Sequence, residues 1–162
     1  YDNQIQNKED IYKEICSLPY NFGETDNVDS KPTGLTTELS ETTLTYKSIY
    51  AFVKENETLK DKIIHRTFVN LFIPGEYANY HTDGSSKEYT LLYYANLNFD
   101  LDEDGETKFL SENNTLSSIL PIPGRIIVFP ADYKHTASPY RTIHRFTVAF
   151  KFKEKTWYNQ AN

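Results

Sequence analysis

A chain of 162 residues, 38% hydrophobic and carrying 13 Tyr and 10 Phe, can bury roughly two-thirds of its unfolded surface in an aromatic-rich core without staples. Its formal charge of -6, with Lys and Arg scattered along the chain, argues against a nucleic-acid partner, because polyphosphate binding is driven by basic residues displacing counterions. The single cysteine, Cys16, excludes an intrachain disulfide and suits a reducing compartment, and no run of ~18 apolar residues and no secretory signal is seen, so a soluble cytoplasmic protein with no membrane partner is expected. The lack of methionine implies a trimmed start or a few missing residues.

In chain order the pattern is helical first and stranded later. Ile11, Ile15 and Leu18 recur at i, i+4 and i+7 between a capping Asn7 and Pro19, which predicts an amphipathic helix over 7–18. Residues 22–40, rich in Gly, Asp, Thr, Ser and Pro, read as a long loop, either a mobile lid or a disordered excursion. Ile49, Phe52 and Val53 mark a second helix and residues 57–64 a short third one. Strands are expected at 65–72, 80–83, 89–98, 107–110, 116–120, 125–129 and 144–152. No repeat or linker interrupts this run, so 1–162 is expected to form one domain, with 1–64 a helical support region and 65–152 a β core. Many short strands between turns call for a closed or double-sheet architecture, mainly β with N-terminal helices.

Two pairs of residues carry chemistry. On a strand, residues i and i+2 share a face, so His81 and Asp83 can present an imidazole and a carboxylate to one metal ion, and the distant His135 completes three ligands. Two imidazoles and one carboxylate leave coordination positions open, an arrangement suited to non-haem Fe(II). The competing reading of His81 and Asp83 is a surface turn, given Gly84-Ser85-Ser86, and that of His135 is a loop histidine near Pro139. In the alternating strand 144–152, Arg145, Thr147 and Ala149 share one face and Phe146, Val148 and Phe150 the other. Arg145 and Thr147 thus pair a forked, permanently charged guanidinium with a hydroxyl, a clamp for the far carboxylate of a dicarboxylic acid. Arg141, in a loop-like segment, is the rival anchor. His65 and His144 are read as structural or surface histidines. The acidic stretch Asp100 to Gly105 imitates the start of a calcium loop but has Ser111 in its twelfth place, so a solvated hairpin loop is expected.

The order of these blocks resembles the 2-oxoglutarate/Fe(II)-dependent oxygenases, and within them the prolyl 4-hydroxylase-like branch. The resemblance runs from about Asn70 to Phe152 through Phe72-Ile73-Pro74-Gly75, His81-x-Asp83, Leu91-Leu92-Tyr93-Tyr94-Ala95-Asn96, Asp104-Gly105-Glu106-Thr107, Pro123-Gly124-Arg125, His135 and Arg145. It implies a double-stranded β-helix, or jelly roll, with the helices on one sheet. It implies further that His81, Asp83 and His135 hold iron, that Arg145 pairs with the distal carboxylate of 2-oxoglutarate with help from Thr147, and that Tyr94 and Thr107 belong to the cosubstrate pocket. The reaction implied consumes O2 and hydroxylates a C–H bond, most simply of a peptidyl proline in a peptide or protein substrate, with ascorbate as an accessory reductant and the enzyme a monomer. Departures from the pattern are Phe72, where relatives often carry Tyr, and Tyr77, four residues before His81 rather than three. The loops 22–40 and 84–88 are the expected substrate-gripping elements. The alternatives are a demethylase acting on alkylated nucleic acid, a small-molecule hydroxylase, and a β-helix module that binds without turnover.

Overall fold

Ile11 and Ile15 are fully buried on helix α1 (Lys8–Cys16), and Ile49 and Val53 are buried on helix α2 (Leu44–Glu55), as apolar spacing on one helical face requires. The two helices are tied by their polar ends. Asn7 stands at the start of α1 but makes no side-chain cap; its amide instead donates to Ser48 Oγ at 3.0 Å. The cap of α2 is doubled: Thr43 accepts from Tyr46 N, and the Glu14 carboxylate of α1 accepts from Leu44 N, Thr45 N and Thr45 Oγ1 at 2.6–2.9 Å.

The computed structural model describes residues 1–25 and 31–155. Among the described residues nine strands form two antiparallel sheets: β1 (Asn21–Phe22), β2 (Leu35–Glu38), β3 (Ile63–Phe72), β4 (Tyr89–Tyr94), β5 (Thr107–Leu110), β6 (Leu116–Ile119), β7 (Ile126–Pro130), β8 (His135–Ala137) and β9 (Arg145–Lys153). The larger sheet has the order β1-β2-β3-β9-β4-β7 and the smaller β6-β5-β8. A short 3-10 turn at Leu101–Glu103 precedes β5. No helix among the described residues is long and apolar enough to cross a membrane.

Strand alternation sorts the larger sheet into two faces. The outward face carries Val69 of β3, Leu91 and Tyr93 of β4, and Phe146, Val148, Phe150 and Phe152 of β9, which form one core cluster with Ile11, Ile15, Ile49 and Val53 of the helices. The inward face is laid out in rows by the register across β3, β9 and β4. Arg145 pairs with Phe72; Thr147 lies between Asn70 and Tyr94; Ala149 between Phe68 and Leu92; and Lys151 between Arg66 and Thr90. These rows, Tyr94 excepted, line a cavity that the smaller sheet closes from the other side through His135, Ala137 and Thr107.

Several expectations are corrected. Residues 57–64 are not a helix: Asn56 Oδ1 accepts from Thr58 N in a turn, and Ile63 and Ile64 pair with Lys153 and Phe152 at the start of β3. Those two β-branched residues gain a neighbouring strand there. The stretch 22–40 is not all loop, since Leu35–Glu38 pairs with Leu71 to Phe68 and adds β2 to the sheet; its residues 26–30 lie outside the described residues, as do 156–162 of the expected domain. Residues 80–83 form a single bridge, His81 to His135, rather than a strand. β4 ends at Tyr94, short of residue 98, because the side chain of Asn96 takes over the pairing, donating to His144 O at 2.8 Å and accepting from Phe146 N at 2.8 Å. His135 lies on β8, a strand not anticipated.

Candidate metal centre

His81 and His135 face one another across a two-stranded bridge: His81 N donates to His135 O at 3.0 Å and His135 N to His81 O at 2.9 Å, with ring centroids 4.5 Å apart. Each ring is oriented in the same way. Nδ1 of His81 lies 2.9 Å from Asn79 O and Nδ1 of His135 lies 2.8 Å from Tyr133 O. A carbonyl can only accept, so each Nδ1 carries its hydrogen and each Nε2 is left with its lone pair toward the cavity. Asp83 is brought to the same place by its own backbone, Asp83 N and Gly84 N both donating to Ala131 O. Its oxygens lie 3.5 Å from His81 Nε2 and 3.5 Å from His135 Nε2.

The ligand atoms of His81, Asp83 and His135 all fall within 4.8 Å of one another, and among the described residues no other group of three or more His, Cys, Asp or Glu side chains converges in this way. The acidic segment Asp100 to Gly105 forms no such cluster. Two lone pairs and a carboxylate held this close repel unless a cation joins them, so the donor set fits a divalent metal with open positions. Electrostatics agree. Burial alone would push the Asp83 carboxyl up, but His81, the Lys151 ammonium and His135 more than reverse it and hold the carboxyl well below its usual range. Burial pulls the His135 imidazole down, which favours the neutral ring a metal needs.

Arg145 lies at the other end of the same cavity, which measures about 290 Å³. It is 1% exposed. Its Nε donates to Gly105 O at 2.8 Å, its Nη2 lies 3.3 Å from Thr107 Oγ1, and its guanidinium stands 5.6 Å from the Tyr94 ring centre. Among the described residues no carboxylate pairs with it. Burial pulls the group below its ordinary value, opposed in part by the Glu106 carboxylate, yet a guanidinium remains charged, so a buried positive charge faces the cavity. Gly105 is required here: its φ is +88° and an added Cβ would overlap the Tyr140 ring, so only glycine brings this carbonyl to Arg145.

The structure brings His81, Asp83, His135, Arg145, Thr147 and Thr107 to one cavity. Thr147 and Thr107 line the cavity, while Tyr94 stands one layer behind and donates its hydroxyl to Thr107 Oγ1 at 2.7 Å. Arg141, on an exposed turn, donates to Asp102 O at 3.3 Å and does not line the cavity. His144 is exposed; His65 is displaced by the bulge between Ile64 and Arg66 and reaches the cavity rim. Of the expected gripping loops, Glu24 and Thr25 line the cavity, and residues 84–88 close on themselves through Glu88, which accepts from Ser85 N and Ser85 Oγ.

Three contributors were not read from the sequence. Thr90 Oγ1 donates to Asp83 Oδ2 at 2.6 Å. Lys151 forms an ion pair with the same oxygen, held largely out of water so that burial lowers it while Asp83 opposes the shift. Asn96 clamps the peptide groups on both sides of Arg145. Lys151 was legible as the next member of the series Arg145, Thr147, Ala149; the other two depend on the pairing of β4 with β9.

No family model and no curated protein sequence matches the chain. Solved structures do. A prolyl hydroxylase from Trichoplax adhaerens, in complex with a hypoxia inducible factor oxygen degradation domain peptide fragment, superposes with a TM-score of 0.73 at 16% identity over 95% of this chain and 82% of that one. The viral collagen prolyl hydroxylase of Paramecium Bursaria Chlorella virus-1, in its 2-oxoglutarate complex, gives 0.70 at 17% identity over 94% of each chain. HygX from Streptomyces hygroscopicus, with nickel, 2-oxoglutarate and hygromycin B bound, gives 0.67 at 11% over 96% of this chain and 82% of that one. With its facing sheets, outer helices and cavity between the sheets, the chain has the jelly-roll fold of the prolyl hydroxylases and other 2-oxoglutarate/Fe(II) oxygenases.

Proposed function

We propose that this protein is a 2-oxoglutarate- and Fe(II)-dependent dioxygenase that hydroxylates a C–H bond, with peptidyl proline as its substrate class. One observation carries the reading: a fully buried guanidinium, to which no carboxylate among the described residues comes within ion-pair distance, shares a cavity with a convergent His-Asp-His set. His81, Asp83 and His135 would hold the iron. Arg145 would take the distal carboxylate of 2-oxoglutarate in a forked, charge-assisted pair, with Thr147 beside it and Thr107 and Tyr94 fixing the guanidinium's plane. Bound iron supplies oxygen activation: 2-oxoglutarate, O2 and a C–H bond give succinate, CO2 and an alcohol, one oxygen atom going to succinate and the other to the substrate.

The protein's own share is positioning and exclusion of water. Thr90 holds Asp83 in one rotamer; Asn79 O and Tyr133 O hold the two imidazoles; Phe68, Leu92 and Phe129 give the cavity apolar walls. Support for a peptide substrate comes from the likeness to two prolyl hydroxylases, one of them with a peptide bound. A small-molecule substrate is the second reading, favoured by the likeness to HygX with hygromycin B. The test is succinate formation by Fe(II)-loaded protein with ascorbate. Proline-containing peptides that stimulate it and gain one oxygen atom support the proposal. Stimulation by small metabolites or by methylated oligonucleotides alone moves the substrate to those classes, and no turnover in any pool leaves a binding module.

A further inference from the structure

Arg145 carries its charge from the end of a ladder. It is the first residue of β9; on one side it pairs with Phe72, the last residue of β3, and on the other the pairing of β9 with β4 stops short of it, at Thr147 and Tyr94. The turn that precedes it, residues 141–144, is exposed. Strand ends with a missing neighbour fray. A long side chain then turns a small rotation at its root into a larger displacement of its head.

A side chain supplies the missing neighbour. Beyond the end of β4, Ala95 N donates to Phe146 O at 3.1 Å, and the Asn96 amide reaches both peptide groups that flank Arg145: Nδ2 donates to His144 O at 2.8 Å and Oδ1 accepts from Phe146 N at 2.8 Å. One planar amide, with a donor and an acceptor, thus stands where the next peptide group of a strand would stand. Asn96 is 5% exposed, so little water competes for these bonds. The head of Arg145 is steadied by the same segment, because the Tyr94 hydroxyl donates to Thr107 Oγ1 at 2.7 Å and Arg145 Nη2 lies 3.3 Å from that oxygen. Tyr94 therefore acts at the guanidinium and Asn96 at the backbone.

Resting on the oxygenase reading, we propose that Asn96 is a positioning residue for the cosubstrate: it fixes the backbone at the root of Arg145 and, through it, the aim of the guanidinium at the distal carboxylate of 2-oxoglutarate. A forked, charge-assisted pair depends on alignment, since hydrogen bonds weaken steeply as they bend. Asn96 itself belongs neither to the cavity lining nor to the His-Asp-His set. Its influence on binding is therefore confined to what Arg145 contributes.

The experiment titrates oxygen-free, Mn(II)-loaded protein with two acids of equal chain length, 2-oxoglutarate and 2-oxopentanoate, the second lacking the distal carboxylate. The ratio of their affinities isolates what Arg145 contributes. Asn96→Ala should shrink that ratio about tenfold, the scale of one or two lost hydrogen bonds. Affinity for 2-oxopentanoate and for Mn(II) should stay within about twofold, as expected away from the altered contact. Asn96→Ser, a smaller polar side chain with no amide to bridge the two peptide groups, should do the same and carries the test if the alanine variant does not fold. In an Arg145→Ala background Asn96→Ala should change neither affinity, because two residues acting through one contact are not additive. An asparagine of purely structural role would lower stability in denaturant and leave the ratio alone. An unchanged ratio in the folded variants, an equal fall for both acids, or a further loss in the Arg145→Ala background overturns the assignment. If the wild type itself does not prefer 2-oxoglutarate, the oxygenase reading falls as well; if it does and the variants keep the preference, only the Asn96 assignment falls.

Discussion

The two faces of β9 hold opposite chemistry on one strand. Outward, Phe146, Val148, Phe150 and Phe152 are buried against the helices in an all-apolar layer; inward, Arg145, Thr147, Ala149 and Lys151 line a polar cavity. The outer face stabilises the fold through area removed from water, and the inner face carries charges whose burial costs stability. The contrast teaches that a strand can serve a core and a site together, because a two-residue period keeps the two sets of side chains from meeting.

The contrast can be broken from either side. The largest effect is expected from Asp83→Ala, which removes the one carboxylate of the triad. Metal binding, read by titration with Co(II) or Ni(II), and turnover should be lost, while the circular dichroism spectrum stays that of the wild type. Full activity in this variant would end the triad assignment. On the outer face, Phe150→Ala empties a fully buried site and should cost ~3–5 kcal/mol in a denaturant titration, with 2-oxoglutarate affinity of the folded fraction unchanged. A coupled loss of affinity would show that the two faces are not independent.

A smaller effect sharpens the inner face. Arg145→Ala should weaken 2-oxoglutarate by ~2 kcal/mol, about 30-fold, in a binding titration, because a charge-assisted pair is removed. Arg141→Ala should leave affinity within about twofold, as its guanidinium lies on the surface, bonded to Asp102 O and outside the cavity. The reverse ranking would move the anchor to Arg141.

The smallest effect belongs to the helical layer. Burial alone would raise the Glu14 carboxyl, but hydrogen bonds from Thr45 and Leu44 and the charge of Lys47 lower it overall. A carboxyl depressed in the folded state adds stability that is present above its unfolded value, about 4.3, and is lost as pH falls through the lower folded value. Glu14→Gln should therefore cost about 1 kcal/mol at pH 7 and progressively less in acid, read as a melting-temperature difference that closes as pH falls. A difference constant with pH would mean that the carboxylate's charge has no part in capping α2.

Local pattern was enough to read much of this protein. The alternation from Arg145 onward and the spacing of Ile11 and Ile15 on α1 are short-range regularities, each set by one element's own geometry, and both stand in the structure. The short β2 and β8 were not legible, since strands of three or four residues carry too few alternations to stand out from turns. His81 and Asp83 reach one metal position without lying on a regular strand, because long-range pairing to His135 and Ala131 sets their backbone.

What the sequence by itself determined is therefore which side chains share a face, because strand and helix periods follow from backbone sterics at each residue. The tertiary structure alone decided which faces meet. Only the register of β4 and β3 on β9 brings Thr90 and Arg66 beside Lys151 and sets Asn96 around Arg145, and only the closure of the small sheet brings Thr107 to that guanidinium. Those contacts join residues dozens of positions apart, whose approach depends on the cooperative burial of the whole core and on no local preference.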